Sequence, residues 1–133
     1  MSKRRIIDTN LIVRYLVQDH PKHARTAEKL FAACDRGELV LVVLPVVLAE
    51  CVFVLESFYG RSREEIGDVL RSVIASAGVE ITEPAVHLDA LQRYQKSRLH
   101  FVDCLLAAAA ADVPLASFDR GFRKFADVRV ETS

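Results

Sequence analysis

Two aspartates directly follow predicted β-strands, at positions where an open α/β fold places its ligands. Asp8 comes after the short β-branched run at residues 5–7, and Asp119 comes after residues 115–118. Because parallel strands end at the same edge of a sheet, the two carboxylates would face one crevice if their strands are neighbours. Either aspartate taken alone could instead cap the helix that follows it, and that alternative stays open.

Two further carboxylates interrupt apolar segments that have helical periodicity. Glu50 lies within residues 45–55, and Asp103 lies near the start of an alanine-rich helix predicted over residues 101–111. Buried acidic side chains are rare unless they are paired, cap a helix or bind a metal ion. Asp103 stands where the N-terminus of a helix favours an anion. Glu50 could instead reach solvent from the flank of its helix.

Convergence of these four carboxylates would create a site for a hard divalent cation. Unpaired like charges at short distance repel and raise one another's pKa values, and a metal ion removes that conflict. Ligand sets made only of oxygen suit Mg²⁺ or Mn²⁺ and do not suit zinc. The histidines do not compete for this role, because no H-x-x-x-H pair occurs.

The rest of the sequence alternates short β-like runs with longer helical ones. Ser62 followed by Glu65 forms a capping box that predicts the start of one helix. The last two strands are predicted at residues 113–116 and 128–130. Strands that alternate with helices predict βαβ units, and hence a mostly parallel sheet of about five strands with helices on both faces.

Composition excludes several classes of protein. The length of 133 residues predicts one domain over residues 1–133. The balance of 18 basic and 18 acidic side chains disfavours a polycation that coats nucleic acid.

Three scattered cysteines without a C-x-x-C pair predict buried, reduced thiols in the cytosol. Asp8 and Asn10 interrupt the first apolar stretch, so no secretory signal is predicted. The longest apolar run is too short to cross a bilayer. We therefore expect a soluble, cytoplasmic protein without a membrane partner.

Taken in order along the chain, these residues resemble the PIN domain family. The resemblance is carried by Asp8-Thr9-Asn10 after a strand, Glu50 in an apolar helix, Asp103 opening an alanine-rich helix, and Ser117-Phe118-Asp119 after another strand. The length and the single-domain architecture are similar to those of the VapC toxins of VapBC toxin–antitoxin modules.

The resemblance implies a three-layer α/β/α fold with strand order 3-2-1-4-5 and a Mg²⁺-dependent endoribonuclease (Mn²⁺ being the alternative ion). It makes Asp8, Glu50, Asp103 and Asp119 the catalytic carboxylates, with the three aspartates as metal ligands. Thr9, Asn10 and Ser117 become their polar neighbours. The implied partners are an RNA substrate, a small VapB-like antitoxin and a second copy of the chain. Candidates for phosphate contacts are the basic residues Arg14, Arg98, Arg120, Arg123 and Lys124.

The sequence departs from the family pattern at two places, and three other functions are considered beside a ribonuclease toxin. Relatives often carry a further acid where Gly121 stands, which weakens the case for a second metal ion, and residues 112–114 replace a glycine turn. The D-x-D-x-T pattern of haloacid-dehalogenase phosphotransferases fails at Asn10 and Ile12. An RNA-processing nuclease outside a toxin–antitoxin module remains an alternative. A non-catalytic RNA- or protein-binding module also remains, although retention of all four acids argues against it.

Overall fold

The computed structural model describes residues 3–132, which divide into two compact units. The first unit extends to Pro84 and the second begins at Ala85. Within the described residues no helix combines the length and the apolar character needed to cross a membrane.

A three-stranded parallel sheet forms the centre of the first unit. Strand β1 (Lys3–Ile6) pairs with β2 (Leu39–Val42), which pairs in turn with β3 (Val79–Glu80). The order is therefore β1-β2-β3, with Arg5 opposite Leu41 and Leu41 opposite Val79. Strand β2 lies between its neighbours, and the side chains of Leu39 and Leu41 are buried. Its valine- and leucine-rich sequence is typical of such a central strand.

Four helices make the connections that parallel strands require. Helices α1 (Thr9–Val17) and α2 (Pro21–Asp35) lie between β1 and β2 in the chain. Helices α3 (Pro45–Ser57) and α4 (Arg63–Ala75) lie between β2 and β3. Helix α1 packs against α2 and α3, and α3 packs against α4. The buried side chains of Ile12, Leu48, Leu55, Ile66 and Leu70 occupy these interfaces, each at most 2% exposed.

The helix starts follow from local sequence. Proline occupies the first turn of both α2 and α3, where its missing N–H costs no hydrogen bond. The Ser62 side chain caps α4 by accepting a hydrogen bond of 3.1 Å from the backbone N–H of Glu65. The cap predicted at this pair is confirmed.

Gly78 makes the turn between α4 and β3 possible. Its φ angle is +74°, and a Cβ added there would lie 2.7 Å from the Cβ of Cys34 and 2.8 Å from the carbonyl oxygen of Leu39. Its own carbonyl accepts a 2.7 Å hydrogen bond from the Leu41 N–H. Only glycine satisfies both the backbone conformation and the close approach of the neighbouring chain.

The second unit is mainly helical. It contains α5 (Pro84–Lys96) except for its first residue, α6 (Phe101–Ala109) and a 3₁₀ turn at Arg120–Lys124. Arg93 of α5 donates hydrogen bonds to the carboxylates of Asp89 and Asp127, and its guanidinium lies 4.9 Å from the centre of the Phe125 ring. This cluster attaches the segment after the 3₁₀ turn to α5.

The prediction of about five strands is wrong for the described residues. The three strands that form match the first half of the predicted order 3-2-1-4-5. The segments predicted as the last two strands meet only at one isolated parallel bridge, between Leu115 and Val130. Pro114 has no N–H to give to a ladder, and Val113 is 68% exposed, so the first of these segments has little to stabilise it as a strand.

Candidate active site

Asp8 lies at the junction between β1 and α1 and serves as the N-cap of the helix. Its Oδ1 accepts a hydrogen bond of 2.9 Å from the backbone N–H of Leu11. The capping role considered from the sequence is therefore confirmed. The residue is nevertheless exposed to solvent. One carboxylate oxygen is thus fixed by the helix start, and the carboxylate remains accessible to a ligand.

Glu50 lies on the exposed face of α3. Val46 and Phe53, one turn before and one turn after it, are 70% and 61% exposed, so this face of an apolar helix is open. The solvent-reaching position considered from the sequence is the one observed.

The thiol of Cys51 interacts electrostatically with the two candidate carboxylates of the first unit, Glu50 and Asp8. Burial raises the pKa of Cys51 to about 12, and the negative charges of Glu50 and Asp8 contribute to the increase. The three cysteines are all buried and none forms a disulfide. The sequence prediction of buried free thiols is confirmed.

We expect Cys51 to resist alkylation in the folded protein. A pKa near 12 leaves the thiol protonated at pH 8, and only the thiolate is a good nucleophile. Mass spectrometry after iodoacetamide treatment at pH 8 should find Cys51 unmodified in the native chain and modified in urea. Rapid labelling of the native chain would contradict this expectation.

Asp103 and Asp119 belong to the second unit. Asp103 is half-buried in the first turn of α6, as predicted, where the helix dipole favours its negative charge. Asp119 is exposed, and its Oδ1 accepts a 2.7 Å hydrogen bond from the Gly121 N–H. The N–H of Asp119 itself donates to the Ser117 hydroxyl at 3.0 Å. Ser117 therefore fixes the backbone that carries this carboxylate.

Gly121 lies close to the side chains of Leu99 and Asp119. A Cβ at this position would lie 3.1 Å from Oδ1 of Asp119 and 2.8 Å from Cδ2 of Leu99. Both neighbours are side-chain atoms, and the end of the Leu99 side chain can move, so a small side chain at position 121 would need only a local adjustment.

Two grooves surround the exposed aspartates. The Asp8 groove, of about 230 Å³, lies within the first unit and is lined by Asp8, Asn10, Leu11, Arg14, His23 and Thr26. The Asp119 groove, of about 290 Å³, lies within the second unit, and its lining includes Ser117, Phe118, Asp119, Arg120 and Arg123. Asn10 and Arg120 thus lie beside the predicted carboxylates, whereas Thr9 is buried.

Sequence reasoning missed His23 and Thr26. Their spacing of three residues places them on one face of α2. Asn10, Leu11 and Arg14 share a face of α1 in the same way, but only the packing of α1 against α2 brings the two faces to one groove.

The donor chemistry of the four carboxylates fits Mg²⁺ or Mn²⁺, since every donor is an oxygen. The first unit contributes Asp8 and Glu50, and the second contributes Asp103 and Asp119. Within residues 3–132, however, no three His, Cys, Asp or Glu side chains are already grouped so that they could hold a metal ion.

The PIN domain profile matches residues 5–128 of the chain. The chain belongs to the PIN domain family. The match includes every carboxylate described above and most of both units, so the resemblance noted from the sequence is confirmed. This PIN domain is also 26% identical over 123 residues to a VapC ribonuclease from Aquifex aeolicus (strain VF5), and the alignment covers 90% of each protein. No solved structure gave a significant match.

Proposed function

We propose that this PIN domain is a Mg²⁺-dependent endoribonuclease that hydrolyses phosphodiester bonds of RNA. The observation that carries the proposal is the shared geometry of Asp8 and Asp119. Each is the N-cap of the helix or 3₁₀ turn that follows it, has one oxygen held by a backbone N–H, and stays exposed. Carboxylates that are both fixed and accessible are suited to binding a cation. The similarity to a VapC ribonuclease supports RNA as the substrate.

The four carboxylates have distinct roles in the proposal. Asp8, Asp103 and Asp119 would hold the ion, and Glu50 would hold it through a water molecule or help to orient the attacking water. Bound Mg²⁺ would neutralise charge on the scissile phosphate and lower the pKa of a bound water. The backbone N–H groups of Leu11 and Gly121 keep two of the carboxylates in fixed orientations. Such preorganisation avoids the cost of reorienting charges during the reaction.

Removal of the metal ion tests this proposal. We expect the purified chain to cleave a mixture of structured and unstructured RNAs with Mg²⁺ and to lose that activity in EDTA. Added Mg²⁺ should restore it, and Ca²⁺, which is larger and accepts looser geometry, should not. Cleavage that persists in EDTA would contradict the metal dependence. Metal binding without cleavage of any RNA would favour the non-catalytic alternative.

We further propose that the protein is the toxin of a type II toxin–antitoxin module, acts in the cytoplasm and forms a homodimer. The similarity to a VapC ribonuclease over nearly the full length supports this role. The exposed side chains of Phe53 and Phe58, at 61% and 79%, offer apolar surface for a VapB-like antitoxin or a second copy. A short neighbouring reading frame for a DNA-binding protein would favour the toxin role over an RNA-processing nuclease.

A further inference from the structure

Arg14 is held at the rim of the Asp8 groove by a hydrogen-bonded cluster. Its Nη1 donates to both carboxylate oxygens of Asp19, at 2.9 and 3.0 Å, and to the Tyr59 hydroxyl at 3.3 Å. The Tyr59 hydroxyl donates in turn to Asp19 at 2.9 Å. The hydrogen bonds from Arg14 lower the pKa of Asp19, so the carboxylate keeps its charge and its hold on the guanidinium. The cluster therefore fixes the direction of the Arg14 side chain.

The same hydrogen bonds leave most of the guanidinium available. Within residues 3–132, every hydrogen bond found from the Arg14 side chain uses Nη1. The donors on Nη2 and Nε are thus open to a ligand, and the side chain is 30% exposed where it lines the groove. A planar guanidinium with two donors on one edge is well matched to two oxygens of a phosphate.

We propose that the Asp8 groove holds the backbone of single-stranded RNA beside the scissile bond, with Arg14 donating hydrogen bonds to a phosphate. This inference rests on the proposed function and adds the path of the substrate. Asp8 and Arg14 are six positions apart, a rise of about 9 Å between their backbone positions along the helix. The Arg14 guanidinium is held by Asp19, which lies beyond the C-terminal end of α1. Arg14 therefore contacts a different phosphate from the one next to Asp8.

The remaining lining of the groove suits the same ligand. Asn10, His23 and Thr26 offer polar groups that can bond to ribose and phosphate oxygens. Among the described residues that line the groove, Asp8 alone is acidic. Asp19 and Tyr59 are positioning residues, because they act on RNA only through Arg14.

The test compares Arg14→Gln with Arg25→Gln, which removes an exposed arginine from α2 outside the lining of the groove. In cleavage assays we expect R14Q to raise KM for single-stranded RNA about tenfold with little change in kcat, as expected for loss of uniform binding. In EDTA, where no cleavage is needed, binding of a labelled oligonucleotide should weaken to a similar extent. The slope of log K against log salt should decrease by about 0.7, the value for one phosphate contact on a single strand. R25Q should leave both measurements unchanged.

Tyr59→Phe should raise KM about threefold, because Arg14 stays charged but loses one of the hydrogen bonds that hold it.

A second measurement on the wild-type chain avoids any problem with folding of the variant. Bound RNA should protect Arg14, and not Arg25, from modification by phenylglyoxal, as mapped by mass spectrometry. If R14Q folds and keeps the wild-type KM and salt slope, or if RNA does not protect Arg14, the groove is not the path of the RNA and the cluster only joins α1 to the segment that follows α3. Absence of cleavage by the wild type in Mg²⁺ would instead overturn the proposed function, and the binding assay in EDTA would still decide on the groove.

Discussion

Replacing Asp8 by Asn is expected to lower the rate of RNA cleavage in Mg²⁺ roughly 10²–10³-fold while leaving the fold intact. The amide has no negative charge with which to hold a divalent cation, so the main electrostatic contribution of this residue is lost. Its side-chain oxygen can still accept the hydrogen bond from the Leu11 N–H, and Asn is as good an N-cap as Asp. The activity and the stability of α1 are therefore separated by one substitution.

Initial rates of cleavage and thermal unfolding should be measured together for this variant. Asp35→Asn, which removes an exposed carboxylate from the last residue of α2, is the matched control and should keep the wild-type rate. Wild-type cleavage by D8N would remove Asp8 from the proposed site. A large loss of stability in D8N would mean that the variant reports on folding and not on catalysis.

Replacing Gly78 by Ala is expected to destabilise the protein by about 2–5 kcal/mol, the combined effect of a left-handed backbone and an overpacked side chain. The new methyl group would overlap the Cβ of Cys34 and the carbonyl oxygen of Leu39. Neither atom is at the end of a flexible side chain, so the turn itself must move. That movement would disturb the hydrogen bond between the Gly78 carbonyl and the Leu41 N–H, which joins β2 to the turn before β3.

Gly60→Ala provides the control, because Gly60 also has a positive φ angle, +60°, but nothing lies within 4 Å of an added Cβ. It should cost only about 1–2 kcal/mol, the effect of the backbone conformation alone. Urea unfolding followed by circular dichroism would give both values. Equal destabilisation in the two variants would show that the contact with Cys34 and Leu39 is not what requires glycine at position 78.

Local sequence signals predicted the first unit well. The alternation of apolar strands with capped helices depends on neighbours in the chain. The cap at Ser62 formed as predicted, and the cap at Asp8 is the alternative that the sequence left open. The second unit was less predictable. Whether residues 113–116 form a strand depends on finding a partner ladder, which Pro114 and an exposed Val113 do not favour.

The residues of the candidate site also differ in how far the sequence alone could predict them. Acidic residues stand out in apolar segments of a sequence, so Asp103 and Glu50 could be singled out as candidates without a structure. The structure places Glu50 on an exposed face of its helix. Arg14 was one of several basic residues named as candidates for phosphate contacts, but its cluster with Asp19 and Tyr59 could not be predicted, since it joins residues 40 positions apart in the sequence. His23 and Thr26 were missed for a related reason, because only the packing of α1 against α2 gives them a common groove.

Strand β1 has a consequence for how copies of the protein behave in concentrated solution. Among the described residues it forms an edge of the sheet, and all four of its residues are exposed. Such an edge is a template for sheet extension by another molecule, and Ile6 would add apolar contact. Lys3 and Arg5 are cationic, as is Arg4, which pairs with Glu80 across the sheet. Like charges on two approaching edges repel, so this strand carries its own protection against aggregation. That protection is electrostatic and weakens as salt shortens the range of the repulsion.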